Sequence, residues 1–123
     1  MKTEIKQKWV EALRSGEYSQ GKFKLYDGIN YCCLGVLCQL YLKEIDGTWD
    51  ILDKPNWDGI SDKCHINGES ELLPVAVMDW AELNSGNGDP LVNVDVDIKS
   101  LAGLNDSLDY TFAQIADVIE AQL

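Results

Sequence analysis

The chain has 123 residues, 46% of them hydrophobic and 25% charged, a length and composition that specify one globular domain, residues 1–123, burying about two-thirds of its unfolded surface. No apolar run approaches the roughly 18 residues of a membrane span, and Met1-Lys2-Thr3-Glu4 leads into a charged helix rather than an apolar leader, so the protein is expected to stay in the cytoplasm. A net charge of −11 repels a phosphate backbone, which sets direct nucleic-acid binding aside.

Thr3 to Ser15 predicts an amphipathic helix, with Ile5, Trp9, Ala12 and Leu13 on one face, Thr3 placed to cap it and Gly16 to end it. Lys22-Phe23-Lys24-Leu25-Tyr26 then alternates, Asp27-Gly28 suits a tight turn, and Ile29-Asn30-Tyr31-Cys32 returns, the pattern of a β-hairpin. From Cys33 to Leu42 the chain is apolar on nearly every side, which predicts a central helix surrounded by other elements. Gly35 costs such a helix about 1 kcal/mol relative to Ala, a penalty explained when another backbone packs closely against it.

Residues 43 to 73, rich in Asp, Gly and Asn, read as irregular connections with a short strand or two. Pro74 suits a first helical position, so a short helix is expected from Val75 to Leu83, ended by Asn84-Ser85-Gly86. Leu91 to Val96 alternates as a brief strand, and Asp97 is placed to cap a helical turn reaching Gly103. For the last helix, Thr111 and Gln114 stand at capping-box spacing, Tyr110 and Ile115 at staple spacing, and Phe112, Ile115, Ala116 and Ile119 form the buried stripe. The sum is an α+β domain with a central buried helix, amphipathic helices at both ends and a small antiparallel hairpin or sheet.

Metal chemistry is set aside by spacing. Between Cys32, Cys33, Cys38, Cys64 and His65 lie zero, four, twenty-five and zero residues, whereas zinc ligands come as two pairs with about two to four residues within each. Cys38 shares the helical face of Leu34, Leu37 and Tyr41, the setting of a buried apolar cysteine, and all four thiols are expected to be free. Asn93, Asp95 and Asp97 open like a calcium loop, but Ile98 and Leu104 stand where it needs Gly and Glu. There is no Walker loop, dinucleotide glycine fingerprint or esterase elbow, and no cofactor is expected.

Two chemical readings of the remaining residues stay open. Cys32 or Cys33 falls where a hairpin ends and a helix begins, the context of a papain-like nucleophile, with the sole histidine, His65, as base and Asn67 or a nearby Asp as orienting group. The other reading is a binding site. Residues 1–24 hold six basic groups against three acidic ones, a local balance of +3 that leaves −14 for the rest of the chain. Within them, Arg14, Gln20, Gly21 and Lys22 join the first helix to the hairpin; Arg offers a planar fork for phosphate, and glycine lets backbone N–H groups approach an anion. Asn105 and Asp106 precede the last helix as turn and cap residues, with ligand contact as their second role. The candidate ligand-binding set is therefore Arg14, Gln20, Gly21, Lys22, Asn105 and Asp106, facing a small anion on which Tyr or Trp rings could stack.

Lys8-Trp9-Val10-Glu11-Ala12-Leu13-Arg14-Ser15-Gly16-Glu17-Tyr18, Gln20-Gly21, Tyr31-Cys32-Cys33-Leu34-Gly35-Val36-Leu37-Cys38, Leu73-Pro74, Leu104-Asn105-Asp106 and Phe112-Ala113-Gln114-Ile115-Ala116-Asp117-Val118-Ile119-Glu120 together resemble a family of small uncharacterised proteins encoded in bacteriophage and prophage genomes. Lys43 to Glu71 matches no pattern of that family. The resemblance implies a viral origin and action in the cytoplasm of the infected host, and brings no catalytic residues. The expected role is then that of a counter-defence accessory protein sequestering a nucleotide-type anion without catalysis. The alternatives are an acidic decoy for a host DNA-acting or defence protein and, third, the cysteine hydrolase. Its partner is thus a small anionic ligand or a host protein, with no membrane involved; self-association into a homo-oligomer is left open.

Overall fold

Apolar residues recurring at helical spacing bury one face of α1 (Thr3–Ser15), where Ile5, Trp9, Val10 and Leu13 are enclosed. The structure, a computed structural model, describes residues 1–51, 64–83, 91–94 and 97–123. Two details of α1 differ from expectation. Lys2, not Thr3, is the N-cap and no side chain caps the helix, while Val10 takes the buried place expected for the half-buried Ala12. Gly16 ends the helix at φ 78°, in the left-handed region.

The hairpin expected from Lys22 to Cys32 does not form. The segment makes isolated bridges only, Tyr26 with Tyr31 antiparallel and Gln20 with Tyr31 parallel. Phe23 lies at φ 69°, which breaks the strand alternation, and the Leu25 N–H leaves for the carbonyl of Ser70 at 2.8 Å. The turn itself is present: Asp27 N–H donates to the Asn30 carbonyl at 3.0 Å, and Asp27 Oδ1 accepts from the N–H groups of Ile29 and Asn30 at 2.8 and 2.6 Å. Partial burial works to raise the Asp27 pKa, but hydrogen bonds from those N–H groups, the Asn30 side chain and its own backbone together hold the carboxyl below its usual value.

The central helix, α2 (Cys33–Glu44), runs two residues further than its apolar stretch and buries Cys33, Leu34, Gly35, Val36, Leu37, Cys38 and Leu42. It packs against α1, α3 (Val75–Ala81) and α4 (Leu101–Asp106), while α5 (Phe112–Gln122) packs on α1 and α4. Gly35 is where the Leu25 backbone crosses it, because a Cβ there would lie 1.6 Å from the Leu25 carbonyl oxygen. Trp9 Nε1 donates to the Cys33 carbonyl at 3.0 Å, which ties α1 to the start of α2.

Between α2 and α3 a two-stranded antiparallel pair joins β1 (Asp50–Ile51) to β2 (Cys64–His65), with Asp50 opposite His65 and Ile51 opposite Cys64. Pro74 is the N-cap of α3 rather than its first residue, and Glu82 in the left-handed region ends the helix two residues before the expected Leu83; Asn84-Ser85-Gly86 lies outside the described residues. The second pair is β3 (Leu91–Val94) with β4 (Asp97–Ser100); residues 95 and 96 are not described. Asp97 is thus a strand residue and not a helix cap, a part taken by Ser100, whose hydroxyl accepts from the Gly103 N–H at 3.0 Å. Helix α5 follows its reading closely: the capping box of Thr111 and Gln114 is formed, and Phe112, Ile115, Ala116 and Ile119 are buried against α1 and α4. The architecture is α+β, mostly helical, around α2.

Candidate functional site

The turn that leaves α1, the end of α4 and the turn that leads into α5 meet over the start of α2, held together by two amides, Gln20 and Asn105. Gln20 Nε2 donates to Asn105 Oδ1 at 2.9 Å and to the Tyr110 carbonyl at 2.7 Å, while its Oε1 accepts from the Phe112 N–H at 3.2 Å. Asn105 Oδ1 also accepts from the Cys33 N–H at 3.3 Å; its Nδ2 donates to the Gly21 carbonyl and to Asp106 Oδ1, both at 2.8 Å. Asn105 is fully enclosed, and its two donors and two acceptor positions are all used. It belongs to helix α4 and does not cap the last helix, contrary to the turn and cap role expected for it; the helix N–H it accepts is that of Cys33, at the start of α2.

Against this clamp lies a hollow of about 250 Å³ lined by Gln20, Gly21, Lys22, Asn105, Asp109, Tyr110 and Thr111. Four of the six candidate ligand residues, Gln20, Gly21, Lys22 and Asn105, thus share one concave surface. Gly21 has no room for a side chain, since a Cβ would meet that of Asn30 at 2.8 Å. Asp106 does not line the hollow; its Oδ1 accepts from the Phe23 N–H at 3.0 Å, which holds the left-handed backbone of that exposed aromatic.

Arg14 does not join them. Its Nη2 is paired with Asp117 at 2.6 Å and Glu120 at 2.7 Å on the outer face of α5, and those carboxylates hold its pKa above the ordinary value. The expected convergence of Arg14, Gln20 and Lys22 is therefore corrected: helical position sends Arg14 toward α5, where two acidic groups one turn apart receive it. Lys22 is the cation at the hollow, and its ammonium pairs with Asp109. Asp109, Tyr110 and Thr111 were missed as site residues because their local signals, a turn and a capping box, already account for them.

The cysteine arrangement carries no nucleophile open to substrate. Cys32 and Cys33 are 3% and 0% exposed, and Cys33 Sγ lies 3.5 Å from the Leu101 carbonyl as its donor. Cys38 and Cys64 are buried too, and burial pushes the Cys38 thiol up, with Cys32 adding to it. None of the four forms a disulfide, and among the described residues no cluster of three His, Cys, Asp or Glu could hold a metal ion. Among those residues, too, no helix is long and apolar enough to cross a membrane.

A family model described as a domain of unknown function (DUF8296) matches residues 1–123. No curated protein and no solved structure matches the chain.

Proposed function

The chain belongs to the DUF8296 family, and we propose from the hollow itself that it binds and sequesters a small anionic ligand of nucleotide type without transforming it. The setting that goes with this reading is a bacteriophage accessory protein acting against host defence in the cytoplasm of the infected cell, which rests on the motif resemblance alone. The observation that carries the binding reading is the concave surface between Gln20–Lys22 and the start of α5, where Lys22, Asp109, Tyr110 and Thr111 are among the residues that line a space of about 250 Å³. That volume lies just under the roughly 300–1,000 Å³ of small-molecule sites. Binding without chemistry is favoured by the lining, in which the Thr111 oxygen accepts from the Gln114 N–H at 3.2 Å and neither a cysteine nor a histidine stands among the lining residues named above.

Isothermal titration against a panel of mono- and dinucleotides tests the reading. Lys22→Ala is expected to weaken binding at least tenfold, the scale of one lost charge-assisted contact of about 1.5 kcal/mol, and Arg14→Ala to leave it unchanged. Absence of binding by every nucleotide, or equal losses in the two variants, overturns it.

A second reading has its own observation. The net charge of −11 is an acidic excess that a DNA-binding host protein would accept in place of DNA. A complex of that kind dissociates as salt rises to about 0.5 M; one indifferent to salt counts against the decoy.

A further inference from the structure

We infer that Asp109 decides which anions the hollow admits, restricting it to a small ligand that carries a single phosphate or carboxylate group together with a hydrogen-bond donor. The inference rests on the binding reading above and assigns its ligand class.

The polar groups of the hollow divide into those already committed and those open to exchange. Both amide hydrogens and the oxygen of Gln20 are used within the clamp, as are all four positions of Asn105. The charged groups left to meet a ligand are Lys22 and Asp109. They hold each other, with side chains 46% and 74% exposed, so the pair sits in water and an incoming anion can break it at little cost. Asp109 sits at φ 55°, a left-handed conformation that Asp, like Asn, adopts more readily than other side chains.

A ligand that takes Lys22 displaces the Asp109 carboxylate without removing it from the rim. The carboxylate then faces whatever else the ligand carries. A second negative group meets like charge and is disfavoured, whereas an amine, amide or hydroxyl hydrogen is accepted. The volume points the same way, since about 250 Å³ holds one ring or one short chain with its charged group and not two nucleotides. The expected ligand is accordingly a monophosphate or carboxylate with a neighbouring donor, and polyphosphates are excluded.

The test uses inorganic phosphate and tripolyphosphate as probes on the full chain, by isothermal titration at low ionic strength, with wild type, Asp109→Asn, Asp109→Gly and Lys22→Ala. Asparagine and glycine both tolerate the left-handed backbone, so at least one carboxylate-free variant keeps the fold. Wild type is expected to prefer phosphate, and both Asp109 variants to gain about tenfold or more for tripolyphosphate and reverse the order. If wild type prefers tripolyphosphate, or the variants gain equally for both probes, while Lys22→Ala abolishes binding, anion binding at Lys22 stands and the role of Asp109 falls. If neither probe binds wild type or either Asp109 variant at millimolar concentration, both readings fall together.

Discussion

Asn105 is the only polar residue fully buried among the described residues, and its position explains why. It receives a helix N–H from α2, a side-chain amide from Gln20, and returns hydrogen bonds to Gly21 and Asp106, so three separate stretches of chain close on one amide. Removing such a group leaves its partners enclosed without replacement, at about 1–3 kcal/mol for each one unsatisfied. Asn105→Ala is expected to lower stability by about 3 kcal/mol, read from the midpoint of urea denaturation at unchanged slope. A loss under about 0.5 kcal/mol would mean that water replaces the amide, and the clamp would be dispensable. The same reasoning separates Gln20 from Lys22. Gln20 holds the shape of the hollow, and Lys22, paired only with an exposed carboxylate, is the side chain with a charge to offer.

Helix α2 shows how an element can defy propensity for the sake of contact. Replacing Gly35 by Ala improves intrinsic helix propensity by about 1 kcal/mol, yet the new methyl would stand 1.6 Å from the Leu25 carbonyl oxygen, with backbone rather than a pliable side chain in the way. Crowding wins that comparison. Gly35→Ala should destabilise the protein by about 1–3 kcal/mol net, measured by thermal or urea unfolding, whereas a stabilised variant would show that the Leu25 segment is free to retreat. The crossing also accounts for the missing hairpin. Leu25 is fully buried and its N–H donates to Ser70, so only its carbonyl, which accepts from the Cys32 N–H at 3.3 Å, still meets the return segment, and no ladder builds up.

For the molecule as a whole, the four cysteines report on the core. All are buried, spread from the start of α2 to β2, and the Cys38 thiol is held up by its apolar surroundings. In the native state near neutral pH, alkylation of all four by iodoacetamide should be slow, then become rapid together in denaturant, because access requires opening the structure. One thiol reacting at the rate of a free peptide would revive the nucleophile reading for Cys32 or Cys33, and its dependence on His65 would then be the next measurement. The charge distribution is a property of the same scale: of the six basic groups in residues 1–24, Arg14, Lys22 and Lys24 are each paired with acidic groups from distant parts of the chain, namely Asp117 and Glu120, Asp109, and Glu71.

What the amino-acid order determined alone is local and periodic. The 3.6-residue spacing of apolar side chains placed α1 and α5, an all-round apolar run placed α2, the Thr111–Gln114 pair marked the start of the last helix, and Gly35 announced a close backbone approach, because each of these signals lies within a few residues and carries its own physical cause. The hairpin failed for the opposite reason: alternation is satisfied equally by a strand and by a segment whose partners lie forty or more residues away, such as Ser70. The candidate site divides along the same line. Gln20, Gly21 and Lys22 stood out by type and spacing, whereas the exclusion of Arg14, the burial of Asn105 and the entry of Asp109 into the hollow depend on pairs separated by 72 to 106 positions. Such contacts exist only once α5 has docked on α1 and α4 on α2, so only the tertiary structure could decide them.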